Sequence, residues 1–145
     1  MTGRGPRRYD PLREGSALAT AMDDGVLSLV DAASAALLGK KAHAVTVLDV
    51  SALSSVADRF LIAGGGTRLA VQAMADAVRE ALTLAGRPPL RSEGLSEGRW
   101  VCLDYGDLVV HIFQDDVRAY YDLERLWADA PREVREDAVA APLPA

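Results

Sequence analysis

The chain has 145 residues, half of them apolar, with 21 acidic against 16 basic side chains and a net charge of −5. That length suits one domain with a real core, and the acidic balance disfavours bare nucleic acid and suits a basic protein partner. A single cysteine, Cys102, excludes an intramolecular disulfide, and the N-terminus lacks the apolar core of a secretory signal, so the expected location is the cytoplasm.

Residues 1–22 carry Gly3, Gly5, Pro6, Pro11 and Gly15 among scattered arginines, without an apolar period, and read as a disordered tail. Val26, Leu29, Val30, Ala33 and Leu37 then follow the i, i+3, i+4, i+7 pattern of a buried helical face. Asp23 or Asp24 can cap this helix, and Gly39-Lys40-Lys41 stops it. Ala44 to Val50 and Phe60 to Ala63 read as strands buried on both faces. From Thr67, Val71, Met74, Val78, Ala81, Leu82 and Ala85 define a second helix, ended by Gly86, Pro88 and Pro89. Three strands follow, Leu90 to Glu93, Arg99 to Asp104 and Leu108 to Gln114, the last two forming a hairpin. Asp115 and Asp116 can cap a final helix through Val117, Tyr120, Tyr121, Leu123 and Leu126 to Trp127. Residues 128–145, with Pro131, Pro142 and Pro144, read as a flexible second tail.

The order predicts a single α/β domain over residues 23–127, with a five-stranded mixed sheet. A helix between the second and third strands suggests a parallel crossover, and the hairpin is antiparallel. Two histidines and one cysteine would force any zinc site to rely on carboxylates, which zinc seldom accepts, so neither metal nor cofactor is expected. No apolar run approaches the length of a membrane span. A serine hydrolase is equally remote: Ser51, Ser54 and Ser55 follow a strand, but there is no G-x-S-x-G elbow and His111 lies mid-strand.

A two-residue Tyr105-Gly106 turn would pair Asp104 with Asp107, Cys102 with Val109 and Trp100 with His111, placing all six on one face. Val101, Leu103, Leu108, Val110 and Ile112 then form an apolar face directed at the core. The Trp100 side has two readings: a partially exposed recognition patch, or a second core surface covered by a helix, with His111 hydrogen-bonded at its edge. Spacing alone leaves both open.

Asp49-Val50-Ser51, Ala57-Asp58, Glu93-Gly94, Trp100, Leu103 to Asp107, Val110 to Phe113 and Tyr120 to Trp127, in this order, resemble the Iojap or ribosomal silencing factor family from about residue 24 to 127. The resemblance implies a nucleotidyltransferase-like α/β fold without enzyme activity. It also implies docking onto the basic large-subunit ribosomal protein numbered fourteen, which blocks small-subunit joining and represses translation when nutrients are scarce. Carried over, the partner-binding residues are Trp100 as anchor, Asp104 and Asp107 as acidic contacts, Tyr105 and His111 as flanking contacts, and Glu93. Tyr120, Tyr121 and Trp127 are expected to be structural or dimer-forming, because helical spacing usually signals core.

One departure supports an alternative. Gly64-Gly65-Gly66-Thr67, at a strand-to-helix turn, resembles the phosphate-side motif of active nucleotidyltransferases and is a candidate anion-binding turn. Such enzymes also need paired carboxylates on the next strand to hold magnesium, and Leu90 to Glu93 offers only one. A tight turn with Thr67 as N-cap is the simpler explanation.

Overall fold

The computed structural model describes residues 13–136, with side chains from residue 25 onward. The first helix, α1 (Arg13–Gly39), has 27 residues and starts well before Asp23. The expected tail over residues 1–22 is therefore helical from Arg13, and the rest of it lies outside the described residues. Pro11 is the last proline before the helix, and Ala17, Leu18, Ala19, Ala21 and Met22 have high helix propensity.

The chain continues through β1 (His43–Asp49), β2 (Arg59–Gly65), α2 (Arg68–Leu84), β3 (Arg91–Glu93), β4 (Trp100–Asp104) and β5 (Leu108–Gln114). Two short helices follow, α3 (Asp115–Tyr121) and α4 (Leu123–Leu126), and then β6 (Arg132–Arg135). The single final helix expected from the sequence is broken at Asp122, whose φ of 50° is left-handed. Among the described residues the sheet has six strands rather than five, in the order β3-β4-β5-β2-β1-β6. The extra strand lies where a flexible tail was expected: β6 pairs antiparallel with β1, from Val45↔Arg135 to Leu48↔Arg132. Arg135 also bonds Asp31 at 2.8 Å, and Arg132 bonds the Glu124 carbonyl at 2.9 Å.

The sheet is mixed, as expected, but its parallel pair is β2 with β5. The strand that follows α2 goes to the far edge, and the chain returns through two antiparallel pairings to lie beside β2. α1 and α2 cover one face. There Val30, Leu37, Val78 and Leu82 pack fully buried with Leu61, Val101, Leu103, Val110 and Ile112, so the apolar side of the hairpin is the core side. The other face carries a smaller cluster of Leu48, Ile62, Phe113, Val117 and Ala130, with Phe60, Trp100, Leu123 and Trp127 half-buried around it.

The hairpin register differs from the expected one. Asp104 pairs with Val109, Cys102 with His111 and Trp100 with Phe113. The slip is by a whole two-residue step, so each residue keeps its face. Its cause lies in the turn. The Asp107 carbonyl accepts the Asp58 and Arg59 backbone N–H groups at 2.9 and 3.1 Å, and its carboxylate pairs with Arg87 at 2.9 Å. Asp107 is thereby held out of the ladder. A wider turn closes instead, with the Tyr105 N–H donating to the Leu108 carbonyl at 2.8 Å and Gly106 at φ +92°.

Candidate functional site

Strand alternation brings Glu93, Cys102 and His111 into one row across β3, β4 and β5, with Arg91, Asp104 and Val109 in the next. Trp100 lies on the same face, one row further on. This face is neither fully covered nor fully open. Trp100 is half-buried at the rim of the smaller core cluster, its ring 4.8 Å from Phe113 and 4.8 Å from Tyr121. Its indole N–H donates to His111 Nδ1 at 3.1 Å.

His111 is only 8 % exposed, and burial lowers its pKa from 6.5 to about 4. The ring is therefore neutral near pH 7, and because Nδ1 accepts from Trp100, the ring proton sits on Nε2. Phe60 meets the imidazole edge-on at 5.1 Å. His111 is thus packed within the fold, whereas the resemblance implied a flanking contact at the surface.

Two further expected contacts are engaged within the fold itself. Tyr105 is 1 % exposed and belongs to the main core. Burial raises its phenol pKa to about 12, and its hydroxyl finds no hydrogen-bond partner among the described residues. It turns inward because it is the first residue past the strand and continues the alternation of Val101 and Leu103. Asp107 remains partly exposed, but Arg87 holds both its carboxylate and the Tyr105 carbonyl, at 2.9 and 2.8 Å. Its role is to lock the turn.

Asp104 and Glu93 stay on the face. Asp104 Oδ1 accepts the Gly106 N–H at 2.8 Å, while Oδ2 lies 3.7 Å from Arg91, leaving a tethered carboxylate that is still partly open. Glu93 is exposed. Between them the Cys102 thiol is pushed up to about 11, by burial first and then by the charges of Glu93 and Asp104, so it stays protonated.

The α3 tyrosines, expected to be structural or dimer-forming, lie outside the core. Tyr120 and Tyr121 are 79 % and 52 % exposed, and Tyr121 extends the aromatic surface directly from Trp100. Adjacent positions on a helix point about 100° apart, so in a helix as short as α3 a Tyr-Tyr pair spans the full width of a core-facing stripe and at least one ring lies at its edge. Trp127, by contrast, is half-buried against Phe60 at 5.3 Å, in keeping with a structural role.

At the glycine turn, Thr67 caps α2 as expected, its hydroxyl accepting the Ala70 N–H at 3.0 Å. Gly65 packs against Val71 and Met74, and Gly66 faces open space. Gly64 has a specific reason: a Cβ there would run into Asp115 Oδ1. Asp115 is held in place by His43 Nδ1 at 2.9 Å. Beside it Arg118 donates to the His43 and Ala44 carbonyls at 3.0 and 2.9 Å and to Glu124 at 2.6 Å. A carboxylate seated on the turn opposes phosphate binding there. Gly64 lets α3 approach the sheet.

The fold and this face define a mixed-sheet α/β domain that displays a half-buried tryptophan and two exposed tyrosines beside carboxylates. The family described as "Ribosomal silencing factor during starvation" matches residues 23–144. The ribosomal silencing factor RsfS of Bacillus subtilis is 43% identical over 104 residues, 72% of this chain and 88% of that protein. Its counterpart from Halalkalibacterium halodurans is 43% identical over 101 residues, 70% and 86% of the two chains. A crystal structure of a protein from Chromobacterium violaceum superposes with a TM-score of 0.70 at 35% identity, covering 79% of this chain and 95% of its own. A more distant mouse relative, "Mitochondrial assembly of ribosomal large subunit protein 1", is 27% identical over 68% of this chain and 44% of its own length. The chain belongs to the ribosomal silencing factor family, and a ribosome-associated silencing role comes with that membership.

Proposed function

We propose that this chain binds the large ribosomal subunit through the Trp100 face, contacting the basic ribosomal protein numbered fourteen, and so sterically blocks small-subunit joining and represses translation without catalysis. The observation that carries this reading is the half-buried Trp100, continuous with the exposed Tyr121 and sharing its sheet face with Glu93 and Asp104. An aromatic anchor ringed by polar groups is the usual make-up of a binding hot spot. The net charge of −5 favours encounter with a basic protein, while ribosomal RNA phosphates repel the same surface and restrict its orientation. The large-subunit name of the mouse relative points the same way.

The contact set is Trp100, Asp104 and Glu93, joined by Tyr121 and Tyr120. The alternative of nucleotidyl transfer at Gly64 to Thr67 is opposed by Asp115 beside Gly64. Among the described residues no group of three or more His, Cys, Asp or Glu side chains is arranged to hold a metal ion.

Sedimentation tests the reading. The protein is expected to travel with free large subunits and not with joined ribosomes, and Trp100→Ala should weaken that association by at least about tenfold while far-UV circular dichroism is unchanged. A folded Trp100→Ala protein that binds as well as the parent would refute the assigned face.

A further inference from the structure

Trp100 stands at the rim of the sheet, and its orientation is over-determined. Phe113 and Tyr121 approach its ring at 4.8 Å each, and its sole polar atom, the indole N–H, is taken up by a buried imidazole. His111 itself is packed by Phe60 on one strand and lies opposite Cys102 on another, so it has little freedom to follow a moving indole.

We infer that His111 is a positioning residue for docking: its Nδ1 holds the Trp100 indole in one orientation before any partner arrives. This rests on the Trp100 face being the docking face. His111 itself makes no contact with the partner. With its only donor engaged internally, the Trp100 ring presents carbon and π surface alone. The fitting partner group is then an aliphatic stem or a cation over the ring, as a basic protein supplies, rather than a hydrogen-bond acceptor. Tryptophan has two rotatable side-chain bonds, and fixing them in advance removes an ordering penalty that docking would otherwise incur.

The hydrogen bond is directly observable in the unmodified 145-residue chain. With uniform 15N labelling, a scalar coupling between the Trp100 indole nitrogen and His111 Nδ1 should appear at neutral pH. Trp127→Phe identifies which of the two indole signals is Trp100. Absence of that coupling overturns the inference whatever the variants do.

His111→Leu keeps the volume and removes the acceptor. It should shift the Trp100 indole signal toward that of a free N–H and lower affinity for large subunits about tenfold. His111→Asn places an amide oxygen near the former Nδ1 and should recover most of both. A folded His111→Leu protein with parental affinity overturns the inference, as does an Asn variant that restores the indole signal but not binding. If Trp100→Ala binds like the parent while the coupling is present, the docking face is wrong and the positioning role for docking falls with it. The coupling then stands only as a structural feature.

Discussion

Acid should destabilise this protein through His111 by an amount that can be worked out in advance. Its pKa is 6.5 when exposed and about 4 in the fold, a depression caused by burial. The unfolded chain therefore binds a proton more readily than the folded one between those values. The stabilisation is fully present above about pH 6.5 and is lost progressively as pH falls toward 4. At about 1.36 kcal/mol per pKa unit, the loss reaches roughly 3 kcal/mol by pH 4, a large share of the 5–15 kcal/mol typical of a domain. Protonation also converts Nδ1 from acceptor to donor and so abolishes the bond from Trp100. Carboxylates titrate near the bottom of this range, so the informative quantity is a difference. Urea unfolding of the parent and of His111→Leu, followed by circular dichroism at intervals from pH 7.5 to 4, should show the parent losing about 3 kcal/mol relative to the variant as pH falls. Parallel curves would mean that His111 is not a buried neutral imidazole, and would refute the reasoning.

Other outcomes follow from the glycine turn and the α3 clasp. Gly64→Ala should cost more than about 1 kcal/mol, because its Cβ collides with the Asp115 carboxylate, whereas Gly66→Ala, facing open space, should be neutral within about 0.5 kcal/mol by urea denaturation. Equal effects would contradict the packing explanation. Thr67→Ala should lose about 1 kcal/mol with the cap, and Thr67→Ser should restore most of it. Arg118→Ala strands Glu124, itself 21% exposed, and should destabilise by about 3 kcal/mol; Arg118→Lys, lacking the fork that spans two carbonyls and a carboxylate, should recover only part. Full recovery with lysine would show that charge alone holds α3.

How much of this was legible beforehand depends on the range over which each feature is encoded. Element order, the Thr67 cap and the core side of the hairpin are local. A 3.6- or two-residue period and a hydroxyl three residues before an amide are written in adjacent positions, so Val101, Leu103, Val110 and Ile112 were assignable to the core. The hairpin register was not, because it depends on Asp107 being captured by Arg87 and by the Asp58 and Arg59 amides, far away in the chain. Nor was β6, whose residues show no apolar alternation and form a strand only because the edge of β1 offers unpaired backbone groups. The same holds at the candidate face. Trp100, Asp104 and His111 could be placed on one side by parity. Only the tertiary structure decides that His111 is a buried acceptor, that Tyr105 turns inward and that Tyr121 completes the aromatic surface, since each outcome depends on what a distant segment packs against it.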